Sequence, residues 1–173
     1  MDGSQRREEI LKILKQSNSP VSASMIAKKF KVSRQVIVGD IALLRAANAE
    51  ISATPRGYIL ADENNNSPFL KKTIACRHSY KNMAEELYAI VDNGCGIIDV
   101  IVEHAVYGQI SAQLQIFSRF DADCFIKKLS NNNALPLCDL TEGVHLHTIS
   151  CESEEAYKRV TEVLNDKGIL FVK

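Results

Sequence analysis

Four histidines are the residues of this chain best suited to chemistry: His78, His104, His145 and His147. His145 and His147 are separated by one residue in GVHLHTIS. Side chains alternate along a strand, so both imidazoles face one side and form a two-point clamp for a metal ion. His78 closes an earlier strand, and Glu86 follows eight residues later on a helix. Glu86 borders the apolar stripe Met83, Leu87, Ile90 and Val91, whereas Glu85 shares a face with Lys81 and Asn82, so Glu86 is the carboxylate that turns inward. Three neutral imidazoles and a carboxylate suit a divalent transition metal (nickel, zinc, iron, manganese or cobalt) with coordination positions left open. On spacing alone, a hydrogen-bonded or surface histidine pair competes with that reading. His104 and Tyr107, in VEHAVYGQI, sit in a short connection between strands, from which they would close over a ligand pocket; a packed loop with a satisfied imidazole is the alternative. No separate general base or nucleophile accompanies the cluster, which argues against a metal-dependent hydrolase.

These side chains need a scaffold, and the hydrophobic patterning supplies one. It predicts strands at 71–78, 96–104, 108–118, 143–151 and 169–173, and helices at 81–92, 121–131 and 153–167. The order β-α-β-β-α-β-α-β describes an α+β, open-faced sandwich with its helices on one face. If His145 and His147 face the helices, Val144 and Leu146 face the other way and need cover from a second subunit.

The first third reads differently. Val21–Arg45 has the pattern of two short helices joined by a tight turn, with Ser22 and Ser33 as N-caps and Ile26, Ala27, Phe30, Val32, Ile37, Ile41 and Leu44 on the buried side. Ser33, Arg34, Gln35, Val38 and Arg45 remain for contact with DNA. Arg and Gln at the N-terminal end of the second helix suit bidentate contacts to base edges in the major groove. A preceding helix spans 4–16, and Glu50–Ala61 reads as a hairpin about Pro55-Arg56-Gly57, which makes the head a winged helix with Arg56 at its tip. Residues 1–60 hold ten Lys and Arg against five Asp and Glu, and residues 61–173 hold eleven against sixteen. A net charge of zero thus conceals a basic head, suited to phosphate, and an acidic body.

The expected domains are a winged helix at 1–61, a polar linker at 62–68 (DENNNSP) and an effector- and metal-binding domain at 69–173. Neither a signal peptide nor a membrane anchor is visible, which points to the cytoplasm. The five cysteines are odd in number and lack a C-x-x-C pair, so they read as reduced, mostly core thiols.

VSRQVIVGDIALLR followed by RGYIL resembles the winged helix of bacterial biotin-operon-type repressors and many metabolite-responsive regulators. Lys31 stands at a turn position where glycine is frequent, and Gly39 where a basic residue is. RHSY with Glu86, VEHAVYGQI and GVHLHTIS resemble the three-histidine domain that follows this winged helix in niacin-responsive repressors of NAD biosynthesis and niacin uptake. That resemblance implies a divalent metal on His78, Glu86, His145 and His147, with nicotinic acid as co-repressor. Ala105 replaces the proline usual in that family's EHPVYG segment. A palindromic double-stranded operator and a homodimer follow, since one reader helix covers too few base pairs for a specific site. A metal sensor and a purely structural metal are the rival readings.

Overall fold

A computed structural model describes residues 2–60 and 69–172. The chain divides into two compact units, Met1–Asn65 and Asn66–Lys173. The expected linker at 62–68 lies outside the described residues, as do Ala61 and Lys173.

In the first unit, α1 (Gly3–Gln16) starts at a capping box in which Asp2 accepts from the Gln5 backbone N–H and the Gln5 side chain returns the contact. Ser22 caps α2 (Ala23–Phe30) and Ser33 caps α3 (Arg34–Ala46), accepting from Met25 and Val36 N–H respectively. Between them Lys31 adopts the left-handed conformation (φ 54°) that glycine would adopt without strain. Ile10, Leu14, Ile26, Ile37 and Ile41 are fully buried and form the core of this unit. Asp40 of α3 is buried too, and it holds α1 through Arg6 (Nε–Oδ2 2.6 Å) and Arg7 (3.6 Å). Strands β1 (Ile51–Thr54) and β2 (Gly57–Leu60) form the wing. Val21 exchanges two backbone hydrogen bonds with Tyr58, so the wing is tied to the entry of α2. Gly57 is required there: at φ 146° a Cβ would lie 2.3 Å from the Val21 carbonyl oxygen.

The second unit is a four-stranded, wholly antiparallel sheet in the order β3-β6-β4-β5, built from β3 (Leu70–Arg77), β4 (Cys95–His104), β5 (Gly108–Ile116) and β6 (Val144–Cys151). Along β6 burial alternates: His145, His147, Ile149 and Cys151 are covered, while Val144, Leu146, Thr148 and Ser150 are half-buried. Helices α4 (Met83–Asp92), α5 (Arg119–Asn131) and α6 (Glu154–Asp166) supply Leu87, Ile90, Ala122, Val160 and Leu164 to the same core as Ile97, Ile116 and Ile149 of the sheet.

Two expectations are corrected here. The segment 169–173 forms no strand of its own among the described residues. It contributes a single bridge, Cys76 to Leu170, with Arg77 N–H donating to the Ile169 carbonyl and Phe171 N–H to Ala75. The chain turns at Gly168 (φ 66°) directly after α6 and touches the edge of β3 at that one bridge, too little pairing for a strand. Nor are all five cysteines reduced: Cys95 and Cys151 are Cα partners across β4 and β6 and are joined in a disulfide, while Cys76, Cys124 and Cys138 are free. The two bonded residues are 56 apart in sequence, so only the strand pairing reveals that they meet.

Candidate metal centre and DNA-reading surface

Four side chains from three elements converge under the sheet. His78 follows the end of β3, His145 and His147 come from one face of β6, and Glu86 comes from the first turn of α4. Glu86 is 1% exposed and reaches inward, whereas Glu85 points out to Lys167 (2.6 Å). The Glu86 carboxylate lies 2.6 Å from His78 Nε2, 3.1 Å from His145 Nε2 and 3.4 Å from His147 Nε2. The His145 ring stands edge-on to both neighbours, with centroids 4.9 Å from His78 and 4.8 Å from His147.

Each imidazole is oriented from behind by a backbone carbonyl. His78 Nδ1 lies 2.8 Å from Ser79 O, His145 Nδ1 2.9 Å from Gly143 O, and His147 Nδ1 2.7 Å from Asp99 O. A carbonyl can only accept, so all three Nδ1 atoms carry the proton. In the neutral tautomer the three Nε2 atoms then present bare lone pairs to a carboxylate that also has only lone pairs. That arrangement is unfavourable unless a cation sits among them, either protons on the rings or a metal ion. Imidazoles whose other nitrogen donates to a carbonyl are the usual form of metal-bound histidine. The donor set therefore fits a divalent transition metal.

The electrostatics describe the same frustration without a metal. Burial disfavours charge on His78 and His147, but hydrogen bonding and attraction from Glu86 outweigh it and raise both above the ordinary histidine range. Burial likewise works against the Glu86 anion, and the charge of His147 with the hydrogen bonds from all three histidines holds it well below the usual carboxylate range.

Sequence reasoning missed several residues around this centre. Gly143 accepts from His145 Nδ1 and from His78 N–H (3.3 Å), and at φ 86° its would-be Cβ lies 2.4 Å from the His78 carbonyl oxygen. The glycine beside the H-x-H pair was the available signal. Asp99 lies in the irregular stretch of β4, where the register with β6 shifts between Ile97 and Ile101. It offers its carbonyl to His147 and its carboxylate to Thr148 N–H (3.0 Å). A lone acid inside the apolar run GIIDVIV marks it. The cluster opens into a small recess whose apolar wall includes Met83, Leu87, Phe125, Pro136 and Leu137. The run LPLCDL, a 3₁₀ turn at Leu137–Thr141, closes one side. There Cys138, buried beside Asp139, is pushed up to about 11.

His104 and Tyr107 are not brought to this recess. They sit at the β4–β5 turn, where His104 Nδ1 accepts from the Val106 and Tyr107 N–H groups (3.1 and 3.2 Å), and the Tyr107 ring is 78% exposed. His104 folds its own turn, an imidazole doing what an Asx side chain does elsewhere. The turn lies five residues along β4 from Asp99, on the order of 16 Å at strand rise.

In the winged helix, Arg34 and Gln35 are exposed at the start of α3, Val38 is half-buried, and Ser33 spends its hydroxyl on the cap. Gly39 has open space around it, so its missing side chain is not demanded by packing. Arg45 departs from expectation. Its Nε donates to the Ile51 carbonyl at 2.8 Å and its guanidinium lies over the Tyr58 ring at 5.8 Å, so it fastens the wing rather than reaching for a base. Arg56 is half-buried at the wing turn, where its backbone N–H donates to Thr54 Oγ1.

Comparison with known proteins agrees with both units. Residues 71–173 match the 3H domain and residues 6–59 match an HTH domain. The chain is 43% identical over 169 residues to the transcription repressor NadR of Bacillus subtilis strain 168, covering 97% of this chain and 94% of that protein. It is 41% identical over 166 residues to the probable transcription repressor NiaR of Thermotoga maritima, covering 96% and 93%.

Proposed function

We propose, for a chain that belongs to the 3H-domain family of HTH transcription repressors, that its ligand is nicotinic acid and its targets are genes of NAD biosynthesis or niacin uptake. The protein is a DNA-binding regulator and not an enzyme. The observation that carries the effector reading is the convergence of three Nδ1-protonated imidazoles on one buried carboxylate, at the floor of an apolar recess. His78, Glu86, His145 and His147 would hold the metal. A divalent cation bound there would supply an open Lewis-acid position for a carboxylate or a pyridine nitrogen. The rest of the ligand's recognition falls to the chain itself. Met83, Leu87, Phe125 and Leu137 offer a flat aromatic ring an apolar wall, and among the described residues no lysine or arginine lines that recess to neutralise a ligand carboxylate. The anion therefore depends on whatever the histidines hold.

Arg34 and Gln35 read base edges, and the wing with Arg56 contacts the backbone. The unit of action is a homodimer on a palindromic operator, supported by Val144 and Leu146, which lie half-buried on the sheet face opposite the helices. Among the described residues no helix is long and apolar enough to cross a membrane, in keeping with action in the cytoplasm. Coupling of about 1–3 kcal/mol between effector and operator suffices for control.

The test is an operator mobility shift with metal-loaded protein across a nicotinic acid titration. Tighter operator binding with nicotinic acid supports co-repression. Binding that follows metal alone, indifferent to nicotinic acid, replaces the proposal with a metal sensor.

A further inference from the structure

Cys76 takes no part in the site described so far, yet it is the next polar side chain to it. It is fully buried on β3 and is the direct cross-strand partner of His145 on β6. Its Sγ, a Glu86 carboxylate oxygen and a His145 ring nitrogen all lie within 4.8 Å of one another. It does not line the recess, whereas His78, Glu86, His145 and His147 all do. The thiol thus adjoins the carboxylate without opening into the recess.

The geometry assigns Cys76 the role of positioning residue for the metal centre: its S–H donates to Glu86 and fixes the carboxylate's orientation, while the sulfur itself stays out of the coordination sphere. This rests on the metal reading above. Three features point to it. A carboxylate facing three imidazoles has lone pairs to spare on its far side, and in a buried site these need a donor. Around Glu86, the imidazole Nε2 atoms approach from the metal side and can serve either as donors or as ligands, not both. The thiol is a donor that remains beside the carboxylate when they serve as ligands. Ligating carboxylates are ordinarily held by such an outer partner, whose loss costs 10- to 100-fold in metal affinity. A cysteine thiol beside a metal site can also be a ligand, and sulfur would shift the site toward softer metals, so the two roles lead to different spectra.

Cobalt(II) titrated into the full-length, metal-stripped protein separates them, using the wild type, Cys76→Ser and Cys76→Ala. The wild-type complex is expected to show nitrogen and oxygen ligand-field bands with no sulfur-to-cobalt charge-transfer band. Cys76→Ser, which keeps a donor, is expected to bind cobalt within about threefold of wild type, and Cys76→Ala about 10- to 100-fold more weakly. Circular dichroism and the melting temperature of each metal-free variant establish that the fold is retained. Should Cys76→Ala fail to fold, the wild-type spectrum and Cys76→Ser still decide the matter. A sulfur charge-transfer band that disappears in Cys76→Ser overturns the assignment by making Cys76 a ligand. Equal cobalt affinity in all three proteins overturns it by making Cys76 a packing residue. If the wild type binds no cobalt, the metal reading itself fails, which is a separate outcome from either of these.

Discussion

Metal binding to this cluster should release protons, and the number follows from the geometry. With every Nδ1 committed to a carbonyl, a proton gained by a ring must sit on Nε2, the atom that a metal needs. His78 and His147 are both raised above their ordinary 6.5 by the buried Glu86 anion despite the cost of burying charge. At about pH 6, then, metal entry should expel between one and two protons, falling toward none as pH rises past the raised histidine values. Each proton steepens the affinity by about 1.4 kcal/mol per pH unit, so below the raised histidine range the slope should approach about 2.7 kcal/mol per unit, or nearly 100-fold. The stability of the metal-free unit runs the opposite way. The histidines' contribution is complete below about 6.5 and is lost as pH rises through their raised folded values. The Glu86 contribution is present above about 4.5 and lost only as pH falls through its depressed value. Metal-free protein should accordingly melt highest between these limits and weaken as pH rises through the raised histidine values, while the metal-loaded protein gains over the same interval. Isothermal calorimetry at about pH 6 in buffers of differing ionisation enthalpy counts the protons directly. A count of zero would mean instead that the rings are neutral and unfrustrated without metal.

Other expectations follow from single contacts. Gly143→Ala places a Cβ against the His78 carbonyl and should weaken metal binding at least tenfold while leaving the winged helix intact, measured by metal titration and by binding to nonspecific DNA. Arg34→Ala should cost about 1–3 kcal/mol of operator affinity without changing the melting temperature, whereas Arg45→Ala should lower the melting transition of the first unit, because it removes the tie to Ile51 and Tyr58; the reverse pattern would return Arg45 to the reading surface. Under denaturing, non-reducing conditions, thiol titration should count three free cysteines, since Cys95 and Cys151 are paired; five would restore the reading of all the cysteines as reduced.

Much of the fold was legible because periodicity reports which face is buried. The H-x-H pair and the apolar stripe beside Glu86 each turned on which residues share a face, and the structure brings His78, Glu86, His145 and His147 together. The winged helix was visible through Ser22, Ser33 and the Pro55-Arg56-Gly57 turn. What stayed hidden depends on contacts between residues distant in sequence. Arg45 looked like a reader because its helical face is exposed, but its partners Ile51 and Tyr58 lie across a turn. Asp40 had no visible reason to be buried until Arg6 came up against it, 34 residues earlier in the chain. His104 shares its residue type with the three clustered histidines, yet its hydrogen bonds stay within its own turn, and histidine content alone cannot tell those roles apart. The disulfide, and Cys76 beside Glu86, required the strand register.

The most direct test of the central claim is calorimetric titration of nicotinic acid into metal-loaded protein, alongside metal-stripped protein and His145→Ala. Saturable binding to the loaded wild type is expected, vanishing on stripping and in the variant. Equal nicotinic acid binding with and without metal, or none to a protein shown to hold its metal, would contradict it.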